Sequence, residues 1–358
     1  MKKLKIAQVV SLSESVPPTS QNGLEFVVSW LTEELVRRGH DVTLFAPGDS
    51  KTSAKLVSLL PKALPRHSQT SWERYFFSIW NTIVACSDRQ FDVIHCHNMN
   101  GAYIATLTNS QVVETIHSPY DPSFEKFFLS DPETAKSMSP ILKSMQKVNF
   151  VAISKYQENE HMSSTNSYFK NHSVIHNGIS VEKFDFNDNP KDYFLYIGYI
   201  NKNKGADVAV KIAHEQGLKL KIAGSHLYEE KFFEEKIKPY LSDKIEYLGA
   251  VNFQEKNELY KNALATLAPL SWHEPFGLTI VESQACGTPV IAFRKGAAPE
   301  IIKHGETGFV VETEEQMIEA IGSINTINRE SCRKWVEKNF SVKKMVDEYE
   351  KFYASLIT

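Results

Sequence analysis

Two glutamates stand eight positions apart in Trp272-His273-Glu274-Pro275-Phe276-Gly277-Leu278-Thr279-Ile280-Val281-Glu282. The preceding residues, Ala265-Thr266-Leu267-Ala268-Pro269-Leu270, read as a short buried strand. The following residues are apolar at helical spacing as far as Ala285 and stop at Gly287-Thr288-Pro289, a helix-ending pattern. Glu274 therefore belongs to a strand-to-helix loop, and Phe276, Gly277, Leu278 and Thr279 carry the backbone N–H groups of a helix N-terminus. Such an end attracts anions, phosphates above all. Glu282 falls a turn or more into the helix, roughly 8 Å along it at about 1.5 Å per residue. A phosphate on the helix end leaves one carboxylate on each side: Glu282 for vicinal ribose hydroxyls and Glu274 for the hydroxyls of a sugar. Two solvated glutamates on an ordinary loop and helix have the same bare spacing, so the flanking strand, turn and stop carry the functional reading.

Other residues at strand ends could act with this pair. Lys204-Gly205 follows the apolar run Phe194–Gly198 and starts a helix, where a lysine reaches a diphosphate as a point charge. Asp92-Val93-Ile94-His95-Cys96-His97 ends another strand. Its two histidines share a strand face but have no third ligand at a metal-binding spacing. His117 follows Gln111–Ile116 and so stands at a carboxyl strand end, where sites gather.

Glu-Pro-Phe-Gly-Leu-x-x-x-Glu followed by Ala285-Cys286-Gly287-Thr288-Pro289-Val290-Ile291 resembles the E-x7-E signature of glycosyltransferase family 4. The resemblance spans nearly the whole chain and is strongest from Leu195 to Val311. It implies a retaining, metal-independent enzyme of the GT-B fold, with no cofactor beyond a nucleoside diphosphate sugar as co-substrate. It also implies site residues. Glu274 and His117 would contact the transferred sugar, and Lys204 the diphosphate. The family's Gly-Arg-x-x-x-x-Lys-Gly reads Gly198-Tyr199-Ile200-Asn201-Lys202-Asn203-Lys204-Gly205 here, so Tyr199 stands where an arginine clamps phosphate and lacks its charge and fork. Gly23, preceded by Asn22, matches one glycine of a Gly-Gly turn that approaches the donor. Gly224 and Val251 fall where the family holds the base through backbone groups. His97 would serve the acceptor side, with His95 supporting the core. Asn177-Gly178 would shape interdomain geometry, while Pro299-Glu300-Ile301 and Gly305-x-x-Gly308 are structural. The opening segment is similar to a subgroup labelled as pterin glucosyltransferases, a pointer only.

At 358 residues the chain suits two domains better than one core, and 42% hydrophobic with 23% charged residues is a soluble globular composition. A net charge of −3 argues against a nucleic-acid partner. Cutting after Phe186 leaves 18 basic and 18 acidic residues before the cut, so the first half lacks the basic excess that favours lipid surfaces. Four scattered cysteines, no apolar run of ~18 residues and an N-terminus that reads as a first strand place the chain in the cytoplasm, without a transmembrane segment.

Strand and helix patterns alternate throughout, the mark of α/β parallel sheets. Strands are expected at 4–10, 41–46, 91–96, 111–116, 150–153 and 173–175, and again at 193–198, 218–223, 245–248, 265–269 and 290–293. The polar, proline-bearing stretch 185–192 reads as the linker. Two doubly wound Rossmann-like domains facing a central cleft follow: an acceptor-side domain 1–187 and a nucleotide-sugar-binding domain 188–340. A final helix within 341–358 packs back on the first. The implied reaction moves a hexose, with UDP-glucose or a relative as default donor, to a small-molecule, glycan or lipid-linked acceptor held by loops such as Pro119–Met145. The competing readings are another GT-B enzyme (an epimerase or phosphorylase) and a non-catalytic nucleotide-sugar-binding protein. Oligomeric state is not legible.

Overall fold

The computed structural model describes residues 2–19, 23–64, 71–88, 90–98, 100–119, 143–165, 171–227 and 229–357. The acceptor-loop expectation at 119–145 lies almost wholly outside them, as does Asn22. The chain divides into two units: Met1–Gly178 with Val342–Thr358, and Ile179–Ser341.

The first unit carries seven strands: β1 (Lys5–Val9), β2 (Asp41–Phe45), β3 (Lys55–Val57), β4 (Val93–Cys96), β5 (Gln111–Ile116), β6 (Val148–Ala152) and β7 (Asn171–Val174). They form one sheet in the order β3-β2-β1-β4-β5-β6-β7, every pair parallel. The second unit carries β8 (Phe194–Ile197), β9 (Leu220–Ala223), β10 (Ile245–Gly249), β11 (Thr266–Ala268), β12 (Val290–Phe293) and β13 (Gly308–Val311). Their order is β10-β9-β8-β11-β12-β13, again all parallel. Central strands such as β4 and β8 are buried at every position, which is why they read as continuous apolar runs. In each sheet the strand order reverses once, between β1 and β4 and between β8 and β11. Ligands collect at the carboxyl ends of strands beside such reversals. The loops there carry Gly23 and His97 in the first unit, and Lys204 and Glu274 in the second.

Two edge strands, β3 and β13, escaped the sequence pattern. β3 is only three residues long and half-exposed. β13 opens on Gly308, whose φ of +152° brings its backbone so close to β12 that an added Cβ would lie 2.1 Å from the Val290 carbonyl oxygen. Gly308, expected to be structural, thus begins a strand.

The helices that position the site are α1 (Gly23–Arg37), α2 (Ala206–Glu215), α3 (Phe253–Asn262), α4 (Leu278–Ala285), α5 (Arg329–Asn339) and α6 (Val342–Ile357). The 185–192 stretch is part of the second unit, not a free linker. Asp185 N donates to Asn257 Oδ1 (3.0 Å), Lys191 N to the Asn262 carbonyl (2.8 Å), and Arg329 Nε to the Asn187 carbonyl (2.7 Å). Polar composition marked a segment whose polar groups are satisfied by α3 and α5, so the division falls nearer residue 178 than 187.

α6 turns Met345, Tyr349 and Tyr353 inward at a spacing of four, one face of a helix. It docks against α1, where Arg38 Nη1 meets Glu350 Oε2 (2.5 Å) and Asp347 Oδ1 (2.7 Å), and His40 Nε2 lies 2.9 Å from Glu350 Oε1. No helix among the described residues is long and apolar enough to cross a membrane.

Candidate active site

Glu274 is held by its surroundings on both its backbone and its carboxylate. Its carbonyl accepts from Ala297 N (2.9 Å), and Gly296, at φ +54°, approaches so closely that a Cβ there would lie 2.1 Å from that same oxygen. Its Oε2 accepts from Trp272 Nε1 (2.9 Å) and from Lys204 Nζ. Lys204 Nζ also sits 4.5 Å from the centre of the Trp272 ring, a cation–π contact. Lys204 and Glu274 keep 24% and 17% of their side chains exposed, so the pair is sheltered yet reachable.

Lys204 reaches Glu274 because the β8 and β11 loops are locked together. Gly205, in the left-handed region at φ +73°, lies under the end of β11: a Cβ there would stand 1.9 Å from the Pro269 carbonyl oxygen. Ser271 N donates to the Asn203 carbonyl (3.0 Å), Ser271 Oγ to the Lys202 carbonyl (2.9 Å), and Lys204 N to Asn201 Oδ1 (2.9 Å). Buried Tyr196 donates to the Tyr199 carbonyl at 2.9 Å. Burial first, then the charges of Asp207 and Glu274, raise its hydroxyl pKa, so it stays a donor.

α4 begins at Gly277 in the left-handed conformation (φ +97°), and no side chain caps it. The first N–H groups of an α-helix have no partner within the helix. Gly277, Leu278 and Thr279 stand at this end, which opens three positions after Glu274. The Phe276 ring turns into the core and meets Phe340 edge-on at 5.9 Å.

Glu282 differs from expectation. It is only 4% exposed, and Lys256 Nζ (2.6 Å) and Tyr260 OH (3.2 Å) hold its two oxygens. α3 opens with a capping box in which Asn252 and Glu255 satisfy each other's backbone N–H. That start puts Lys256 and Tyr260 four apart on one face. The carboxylate ties α3 to α4 and is largely engaged within the protein.

Other expected donor contacts divide. Tyr199 is 44% exposed and stands clear of the Lys204–Glu274 pair's hydrogen bonds. Gly224 passes so near β8's exit that a Cβ would lie 1.7 Å from the Gly198 carbonyl oxygen; its N–H is donated to the Gly249 carbonyl (2.8 Å) and its carbonyl accepts from Tyr247 OH (2.8 Å). Its N–H is therefore engaged within the unit. Val251 is buried just before the α3 cap, and Gly23 is the first residue of α1.

In the first unit, three histidines cluster at the ends of β4 and β5. His95 is fully buried between Tyr353 OH (2.6 Å) and Thr115 Oγ1 (2.7 Å), the supporting role expected. His97 is 4% exposed, with Nε2 2.8 Å from Gln8 Oε1 and Nδ1 3.0 Å from His117 Nε2. Both its nitrogens are consumed inside the unit, so His97 backs His117 and offers nothing to an acceptor directly. Burial lowers the His117 pKa to about 3, and burial together with the neighbouring imidazoles holds His95 and His97 well below their ordinary value. All three are neutral at pH 7. Among the described residues no three His, Cys, Asp or Glu side chains are grouped to hold a metal ion.

Trp272, Lys256, Tyr260 and Gln8 had no role in the sequence reading. Trp272 adjoined the motif and could have been found as a donor two positions from Glu274. Gln8 gave no signal, being one polar residue in an apolar strand.

Residues 180–342 match the family model for Glycosyl transferases group 1, and residues 21–183 that for Glycosyltransferase Family 4. An uncharacterized glycosyltransferase of Methanocaldococcus jannaschii is 26% identical, over 98% of this chain and 94% of its own length. Among solved structures, sucrose-phosphate synthase of Thermosynechococcus elongatus superposes with a TM-score of 0.78 at 19% identity, covering 99% of each chain. HepE of Anabaena, in complex with UDP and glucose, superposes with a TM-score of 0.71 at 15% identity, covering 98% of this chain and 100% of its own.

Proposed function

The chain is a glycosyltransferase of the GT-B fold, and we propose that it transfers a hexose from a nucleoside diphosphate sugar to a hydroxyl acceptor with retention of anomeric configuration. The observation that carries this reading is the Lys204–Glu274–Trp272 cluster beside the uncapped start of α4. A cation and a helix N-terminus together suit a diphosphate, and a fixed carboxylate next to them suits sugar hydroxyls.

In the proposed reaction the bond from the anomeric carbon to the diphosphate oxygen breaks, and the acceptor oxygen bonds to the same face of that carbon. The acceptor's proton passes to the departing phosphate oxygen. Negative charge builds on the diphosphate as the bond breaks, and Lys204 with the N–H groups of Gly277, Leu278 and Thr279 stabilise it. Lys204 is paired with Glu274. The diphosphate then shares the ammonium, and Glu274 turns to the hydroxyls of the sugar. Glu282 contributes by fixing α4 against α3, with whatever lone pairs Lys256 and Tyr260 leave for ribose hydroxyls. His117 is proposed to contact a substrate hydroxyl.

UDP-glucose or a related hexose donor is the default reading. HepE, solved in complex with UDP and glucose, supports it as a likeness of fold. The proposed acceptor is a small molecule, a glycan or a lipid-linked sugar, and the proposed reaction uses no metal. A panel of uridine, guanosine and adenosine diphosphate sugars, followed by diphosphate release and by NMR of the product anomer, tests the proposal. An inverted product rejects retention, and no binding to any donor rejects the reading altogether.

A further inference from the structure

Gln8 lies in the middle of the first sheet, on β1, paired in register with His95 of β4. It is fully buried, although a glutamine in a central strand has to satisfy both ends of its amide. One end does so through a histidine: Gln8 Oε1 stands 2.8 Å from His97 Nε2, and His97 Nδ1 stands 3.0 Å from His117 Nε2. His117 Nδ1 is left without a partner among the described residues.

Proton counting fixes the rest. A carbonyl oxygen only accepts, so His97 Nε2 must carry a proton. His97 is neutral, so its Nδ1 has a lone pair and accepts from His117 Nε2–H. His117 is neutral too, so its Nδ1 has a lone pair. The direction of the whole chain is thus set by which end of the Gln8 amide faces His97. The nitrogen end of the amide, Nε2, is buried on the side away from His97. It makes no hydrogen bond of ordinary length there. Tyr353 OH is then free to donate to His95 Nδ1, and His95 Nε2–H to Thr115 Oγ1, so the second set of bonds runs without conflict.

We propose that Gln8 is a positioning residue: by accepting from His97 it holds His97 and His117 as their Nε2–H tautomers, so that His117 presents Nδ1 as an acceptor for a substrate hydroxyl. The identity of the substrate group rests on the glycosyltransferase reading above; the tautomer assignment does not. A sheet that offers an acceptor selects a hydroxyl donating its proton, and the buried amide removes the alternative in which His117 would donate.

Long-range proton–nitrogen NMR of the full-length chain with labelled histidine, near pH 7.5, reads each tautomer directly. Single-histidine replacements assign the signals. The expected result is Nε2–H for both His97 and His117 in the native chain and a mixture at both in Gln8→Met, which keeps length but removes the acceptor. Gln8→Glu, which keeps an acceptor, retains Nε2–H at His97. In Gln8→Met, kcat falls on the order of tenfold, the alignment worth of one hydrogen bond, with the donor KM unchanged. Nδ1–H at either histidine in the native chain overturns the proposal, and needs no variant to fold. So does Gln8→Met with both native tautomers intact. Tautomers that respond to Gln8 while turnover does not uphold the relay and reject His117 as the substrate contact.

Discussion

At the residue scale, the two glutamates that share a motif do different work. Glu274 is sheltered, partly exposed and held by an indole N–H and an ammonium. Its replacement by glutamine keeps the shape but loses the charge, and we expect kcat to fall on the order of 10²–10³-fold, the worth of one preorganised electrostatic contact. Steady-state rates at saturating donor check this. Trp272→Phe separates the ring from the N–H. It should keep the donor KM, since the aromatic face over Lys204 remains, and lower kcat less than Glu274→Gln does. A change in KM alone would put Trp272 in donor binding instead.

Glu282 is a structural anchor as well. Glu282→Ala leaves Lys256, with 12% of its side chain exposed, without its carboxylate. Removing one partner of a buried pair costs about 3–5 kcal/mol, so the variant should lose several degrees of Tm in addition to affinity. An unchanged Tm in thermal unfolding would contradict the anchoring role. The spacing of eight was legible in the sequence. The partners on α3 were not, because Lys256 and Tyr260 come from a separate helix that only tertiary packing brings against α4.

At the element scale, the site depends on backbone approaches that only glycine permits. Gly205 and Gly224 both have positive φ, with carbonyl oxygens where a Cβ would go. Gly205→Ala forces the β8 and β11 loops apart. It should cost at least about 2 kcal/mol and weaken donor binding, since Lys204 is the preceding residue. Calorimetry with a nucleoside diphosphate and a thermal melt check both parts, and native behaviour in both would show that the loops are not coupled through this glycine. Most strands were legible because parallel strands buried on both faces are continuous apolar runs. β3 and β13 were not, the first being too short and half-exposed, the second being opened by a glycine. The 185–192 segment misled for a related reason: composition reports polarity, and Arg329 supplies bonds from far along the chain.

At the scale of the whole molecule, the buried histidines set a pH dependence. Burial holds His117 down to about 3 and keeps His95 and His97 well below their ordinary value. In the unfolded chain each binds a proton near pH 6.5. Below that pH the unfolded state binds more protons, so the stability contributed by neutral histidine is complete above about pH 6.5 and is lost as pH falls toward 3. Each such group withdraws about 1.4 kcal/mol per pH unit in that window. The urea midpoint of the full chain should fall steeply between pH 6.5 and 5, and a flat midpoint there would mean that the cluster is protonated in the folded state.

The two-unit organisation, the sheet class and the strand-to-helix loop that carries Glu274 were legible because local pattern determines them. The acceptor was not, since the loops that would bind it carry no periodicity or chemistry that names a ligand. The central claim is that the Lys204–Glu274 cluster holds the donor's diphosphate and sugar. The most direct test is calorimetric titration of the full chain and of Lys204→Ala with a nucleoside diphosphate and with its hexose conjugate. The native chain should bind both, and Lys204→Ala should lose at least tenfold in affinity for each. Equal affinity of the two proteins for the diphosphate would contradict it.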